Sequence, residues 1–178
     1  YVELFSVIEN VNLSSETAPF LVPNMFVNYN ESSAVVAKAR ELAQGAANQG
    51  DVVRNIYQWV VDNITYDHDK TAQLASATGY VPDPDATLAS GTGICFDYAS
   101  LGAAMLRSLG IPCQVITGYV SPDDVYHAWN MVYIDGEWIS VEISIKPNSW
   151  TRVDLTFAAS GAASTIGDGT SYTDRYTY

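Results

Sequence analysis

The stretch "GTGICFDYASLGAAMLRSLGIP" (residues 91–112) decides how the rest of the chain is read. It sets a cysteine, Cys95, between a Gly-Thr-Gly turn and a long run of Ala, Gly, Leu and Met. The run from Ala99 to Leu109 is apolar nearly all round, the pattern of a helix buried on every side. Gly110 and Pro112 end it. Gly91 and Gly93 let the backbone turn sharply, so Cys95 falls in the first turn of that helix. There the free N–H groups and the positive end of the helix dipole stabilise a thiolate, and the same groups can receive an oxyanion.

Two plainer roles compete for Cys95. A lone cysteine is commonly a small buried apolar residue. A disulfide to Cys113 is disfavoured by reach. A helix from Cys95 to Leu109 separates its ends by roughly 21 Å, and four residues return at most roughly 14 Å. A bridge would therefore need a fully extended return, which the Gly110–Pro112 turn denies. Cys113, at the start of a strand, reads as a core residue.

Outward from this helix the chain divides into a helical first half and a β-rich second half. "ESSAVVAKARELAQGA" (residues 31–46) has helical spacing, with Ser32 or Ser33 as cap and Gly45 as stop. "DVVRNIYQWVVDNI" (residues 51–64) is predicted to start on Asp51 and to put Val53, Ile56, Tyr57, Val60 and Ile64 on one face. Residues 65–90 read as a long loop, punctuated by Gly79, Pro82 and Pro84. Residues 1–30, with Pro19 and Pro23, read as an extended arm laid on a single domain of residues 31–178. After the helix come "CQVITGYV", "YHAWNMVYID", "EWISVEISI" and "SWTRVDLTF", β-branched and aromatic runs between turn signals, with Asp135-Gly136 as a hairpin. "YTDRYTY" closes the chain as a candidate strand after a flexible stretch from residue 158. Helices followed by a strand meander give an α+β domain.

The 178 residues carry eight Lys and Arg against twenty Asp and Glu, a formal charge of -12. Such a field repels phosphate backbones, which argues against a nucleic-acid partner, and no run reaches the ~18 apolar residues of a membrane helix. The acidic, tyrosine-rich, lysine-poor composition leads us to expect a secreted or cell-surface setting. The acidic clusters "YDHDK", "DPD", "SPDD" and "GDGT" lack the spacing of a calcium loop and read as solvated turns. We expect no metal and no cofactor.

A thiolate enzyme needs a base, and the chain has two histidines. His127 sits in a strand beside Trp129, where a buried, satisfied imidazole is the plain alternative. His68 sits between two aspartates and reads as a solvated loop residue. A third group must orient the imidazole. Asp154 in "SWTRVDLTF" and Glu142 in "EWISVEISI" are both candidates, and spacing alone does not choose.

Taken together, the glycine-rich turn with Cys95 and its helix, "GIP" and a strand, the strand bearing His-Ala-Trp-Asn, and the strand bearing Trp, Asp and Thr resemble the transglutaminase-like superfamily of papain-fold cysteine enzymes. The resemblance covers residues 50–160. It implies a papain-like core with the cysteine helix packed on an antiparallel sheet, Cys95 as nucleophile, His127 as general base and acid, and Asp154 as the orienting acid. "W-x-x-x-D-x-T" is the family's form, with Leu155 where a proline is common. Glu142 stands in a similar frame and remains a rival. The implied chemistry is acyl transfer through a thioester on a protein or peptide substrate. The expected outcome is hydrolysis by a cysteine peptidase or amidase, with transamidation or a catalytically silent binding domain as alternatives. The family's additional oxyanion donor is marked by no motif; Tyr80 and Gln73 are guesses.

Overall fold

The computed structural model describes residues 12, 13, 15–120, 125–140 and 172–178. Five helices precede or include the cysteine segment: α1 (Ala34–Leu42), α2 (Gln49–Asn63), α3 (His68–Leu74), α4 (Pro84–Ser90) and α5 (Cys95–Ser108). Two short strands, β1 (Thr65–Tyr66) and β2 (Thr92–Gly93), pair in parallel. A four-stranded antiparallel sheet follows, built from β3 (Cys113–Val120), β4 (Val125–Ile134), β5 (Glu137–Ser140) and β6 (Tyr172–Thr177) in the order β5-β4-β3-β6. The mixture is α+β, as expected. None of the described helices is long and apolar enough to cross a membrane.

α5 is the axis of the molecule. Every residue from Asp97 to Arg107 is buried, because α1, α2 and α4 cover one side and β3 and β4 the other. The expected face of α2 packs against it: Val53, Ile56, Tyr57, Val60 and Ile64 all lie in the core. From the sheet, Val115, Ala128 and Val132 meet the same core, and Asn130 Nδ2 donates to Ala99 O on α5 and to Gln114 O on β3, both at 3.0 Å. Alternation along β4 thus turns Ala128, Asn130 and Val132 towards the helix.

Residues 65–90 are not the long loop that their glycine and prolines suggested. Asp67 accepts from Lys70 N and opens α3; Asp83 accepts from Ala86 N and opens α4, with Pro84 in its first turn. Two seven-residue helices are too short for periodicity to reveal, and their caps carry the signal. Asp67 of "YDHDK" and both aspartates of "DPD" are therefore capping groups, Asp85 for the start of α1. α2 also starts earlier than expected. Asn48 is the N-cap, accepting from Asp51 N at 2.9 Å, while Asp51 reaches back to Ala47 N. Ser33 holds the N-cap position of α1 without capping it. Its hydroxyl accepts from Asn30 N, and the acceptor for Val35 N is Asp85 on α4, at 2.8 Å.

Within the expected arm, Ala18–Leu21 forms a 3-10 turn with Pro19 in its first turn, rather than extended chain. Val27 is fully buried and Phe26 stacks on Phe96 at 5.6 Å, so this segment packs on the core. The hairpin at Asp135-Gly136 is present, both residues having positive φ (54° and 91°) as a type I′ turn requires. The strands expected beyond residue 140 and the stretch at 158–171 lie outside the described residues.

Candidate active site

Cys95 is the first residue of α5, half-buried, with Ile94 as the N-cap in extended conformation. Its neighbouring turn is built for one geometry. Gly91 terminates α4 in the left-handed region at φ 65°, and Gly93 lies against Asp97, where an added Cβ would come within 2.7 Å of the Asp97 Cβ. Both thiols are free, and Cys113 is completely buried. Burial pushes the Cys113 thiol up to about 12, only partly opposed by the Arg107 cation. The two cysteines therefore have opposite environments, one at a helix tip and one sealed in the core.

His127 lies on β4, buried at 4% exposure, opposite Gly118 on β3. Its ring stacks with that of Trp129 at 6.5 Å. The indole lies over Gly118: a Cβ there would stand 2.9 Å from Trp129 Cη2 and 2.0 Å from Thr173 O on β6. The same point carries a register shift between β3 and β6. Only glycine allows β6 and the Trp129 ring to close on β3 beside the histidine.

Cys95 and His127 border one cavity of about 630 Å³. α5 contributes the thiol, β3 and β4 contribute Thr117, Tyr126 and Ala128, and the remaining wall comes from residues 66–80. The Tyr126 hydroxyl donates to Thr117 Oγ1 at 2.9 Å. His68, expected as a solvated loop residue, also borders the cavity from the start of α3, edge-on to Tyr66 at 5.0 Å. Asp154 and Glu142 lie outside the described residues. Among the described residues no group of three or more His, Cys, Asp or Glu side chains is placed to hold a metal.

One residue of this site escaped the sequence reading. Asp97, two positions after Cys95, is fully buried. Its carboxylate accepts from Ile94 N at 2.8 Å and from Lys70 Nζ at 2.6 Å, and it receives the Tyr80 hydroxyl. The first of these bonds is the N3-to-cap half of a capping box, the half that isoleucine cannot reciprocate. Lys70 also sits over the Tyr80 ring at 4.8 Å. Desolvation and the bond to Asp97 push the Tyr80 phenol far above its ordinary value of 10.0, so it stays a protonated donor. Tyr80 thus donates its hydrogen bond to Asp97, while Gln73 is exposed. The clue in the sequence was an acid at N3 of a helix with no polar N-cap.

Residues 36–143 match the transglutaminase-like superfamily, well over half of the chain. Cytokinesis protein 3 of Schizosaccharomyces pombe is 32% identical over 117 residues, covering 60% of this chain and 12% of that protein. The kyphoscoliosis peptidase of Mus musculus is 30% identical over 112 residues, 57% of this chain and 16% of the relative. The chain thus spans less than a fifth of the length of these two relatives. A solved structure from Cytophaga hutchinsonii, described as a candidate cysteine protease, superposes with a TM-score of 0.64 at 23% identity over 96% of this chain and 50% of the other, a likeness of fold. With the cysteine at the tip of a buried helix and the histidine on the adjoining sheet, the profile and the architecture agree: the chain belongs to the transglutaminase-like superfamily.

Proposed function

We propose that the protein is a cysteine acyl-transfer enzyme that hydrolyses peptide or amide bonds. The observation that carries this reading is that Cys95, at the N-terminus of a rigid buried helix, and His127 open onto the same cavity. The Cys95 sulfur attacks the carbonyl carbon, and the C–N bond breaks as His127 delivers a proton to the departing amine. The resulting thioester is then cleaved by water that His127 deprotonates. The first N–H groups of α5 have no acceptor within the helix and suit the oxyanion. The orienting acid is Asp154 on the strength of the family pattern, with Glu142 as its rival. The name of the mouse relative, a peptidase, supports hydrolysis over amine transfer. The strongly acidic chain supports a secreted or cell-surface setting with peptides as partners.

The test measures iodoacetamide labelling of Cys95 against pH, with Cys113→Ser as background. A thiolate that reacts well below pH 7 and is lost in His127→Ala supports the pair. Peptide amides are then offered with and without a primary amine. Release of ammonia or peptide at the same rate in both supports a hydrolase; amine incorporation would make it a transglutaminase. Cys95→Ala and His127→Ala are each expected to lower turnover by roughly 10⁴-fold or more. Turnover surviving Cys95→Ala overturns the mechanism.

A further inference from the structure

Residues 66–80 supply much of the cavity wall, and they are held in an unusual way. Leu74 is only half-buried, and Ala75 and Ala77 are exposed, so little core packing fixes this segment. Beyond its first residues it is instead tied at two points to one carboxylate. Lys70, from α3, and Tyr80, from beyond it, both bond Asp97, which stands two residues after Cys95 and caps the same helix. The Lys70 ammonium over the Tyr80 ring closes the staple. The start of the wall is held by the β1–β2 pairing, where Asp67 N donates to Gly93 O at 2.9 Å, and the rest of it is positioned relative to the thiol through Asp97.

The chemistry of the wall is selective. Leu74, Ala75, Ala77, Ile94 and Phe96 face the cavity, and no Lys, Arg, Asp or Glu is among the described residues that line it. Asp67, within the segment, and Asp83, just beyond it, both act on the Tyr80 phenol, raising it further. A carboxylate entering this space meets that negative field. An ammonium or guanidinium would lose its hydration among these side chains and neutral hydroxyls, with no carboxylate in the described lining to pair with, a cost that the acids outside the lining offset only in part. At about 630 Å³ the cavity exceeds one side chain and falls in the range of sites that enclose a short stretch of ligand.

Building on the assignment of Cys95 as nucleophile, we propose that residues 66–80, stapled to Asp97, form a subsite that selects peptides with an aliphatic or aromatic side chain beside the carbonyl that Cys95 attacks. The probes are acetyl-dipeptide chloromethyl ketones ending in Phe, Leu, Glu or Lys, whose methylene carbon is attacked by the thiolate, so that an S–C bond forms as the C–Cl bond breaks and chloride leaves. Iodoacetamide reports the thiol alone. The full chain with Cys113→Ser should react with the Phe and Leu probes at least about tenfold faster than with Glu or Lys. Leu74→Glu should abolish that preference once each probe rate is divided by the same variant's iodoacetamide rate. Ala77→Glu, at an exposed position, repeats the test should Leu74→Glu not fold. Equal rates for the four probes with fast iodoacetamide labelling would overturn the subsite and leave the nucleophile standing. A Cys95 inert to iodoacetamide and to every probe would overturn the nucleophile and the subsite with it.

Discussion

Two cysteines in one chain of 178 residues illustrate how position overrides residue type. Cys113 is sealed among core residues and its thiol is held up to about 12, whereas Cys95 opens onto the cavity from the first turn of α5. In the native protein at pH 8, a maleimide should therefore modify Cys95 and spare Cys113, as peptide mapping after a short pulse would report. Cys113 also has a signature in stability. Its folded value lies above the ordinary 9.0, so between pH 9 and 12 the unfolded chain has already lost a proton that the native chain keeps. Stability from this group is complete below about 9 and lost as the pH rises towards 12. Tyr98, raised to about 12 from 10.0 chiefly by burial, acts in the same direction above pH 10. Denaturant midpoints should fall with rising pH in this window, and Cys113→Ala should flatten the part that begins at pH 9; an unchanged slope would remove Cys113 from the account.

At the level of elements, what matters is how a short helix is pinned to a long one. α3 has seven residues, none of them buried, too few to persist alone in water. The Lys70–Asp97 pair joins a partly exposed ammonium to a fully buried carboxylate. Lys70→Met leaves that carboxylate with only Tyr80 and Ile94 as donors among its described bonds, and should lower stability by about 3 kcal/mol in urea titrations, with Lys70→Arg recovering part of it. No loss on Lys70→Met would mean the pair is solvated in solution. In the sheet, Gly118→Ala forces a Cβ into the Thr173 carbonyl and the Trp129 ring. The expected result is roughly 2–4 kcal/mol lost and a change in Trp129 fluorescence, since β6 cannot stay in register. A neutral Gly118→Ala would show that β6 can be displaced freely.

Over the whole molecule, Arg107 fastens parts that are far apart in sequence. It is 2% exposed, and its guanidinium donates to Cys113 O, Val22 O and Tyr178 O, all within 2.9 Å. Burial lowers its pKa, and the three main-chain oxygens compensate the lost hydration. One side chain on α5 thereby holds the N-terminal segment, the start of β3 and the last residue at β6. Arg107→Met should cost roughly 3 kcal/mol in thermal unfolding, and Arg107→Lys nearly as much, because an ammonium cannot span three acceptors in a fork. Equal stability of the lysine variant would show that charge, not geometry, is what the site needs.

Local pattern was enough for several features. The all-round apolar run at 99–109 could only be a central helix, the face of α2 followed from its spacing, Asp135-Gly136 announced its hairpin, and the motifs around Cys95 and His127 indicated the family. These are short-range signals, set by periodicity and turn chemistry within a few residues. Other features depended on residues distant in sequence. Asp85, fifty positions from Val35, caps α1 in place of Ser33; Lys70 and Tyr80 converge on Asp97; Trp129 and Thr173 close over Gly118. No pattern read along the chain could show these, because a buried carboxylate or a missing side chain takes its meaning from whatever the fold brings against it. The place of Cys95 at the tip of its helix was written in the sequence, and the wall that faces it was decided by tertiary packing.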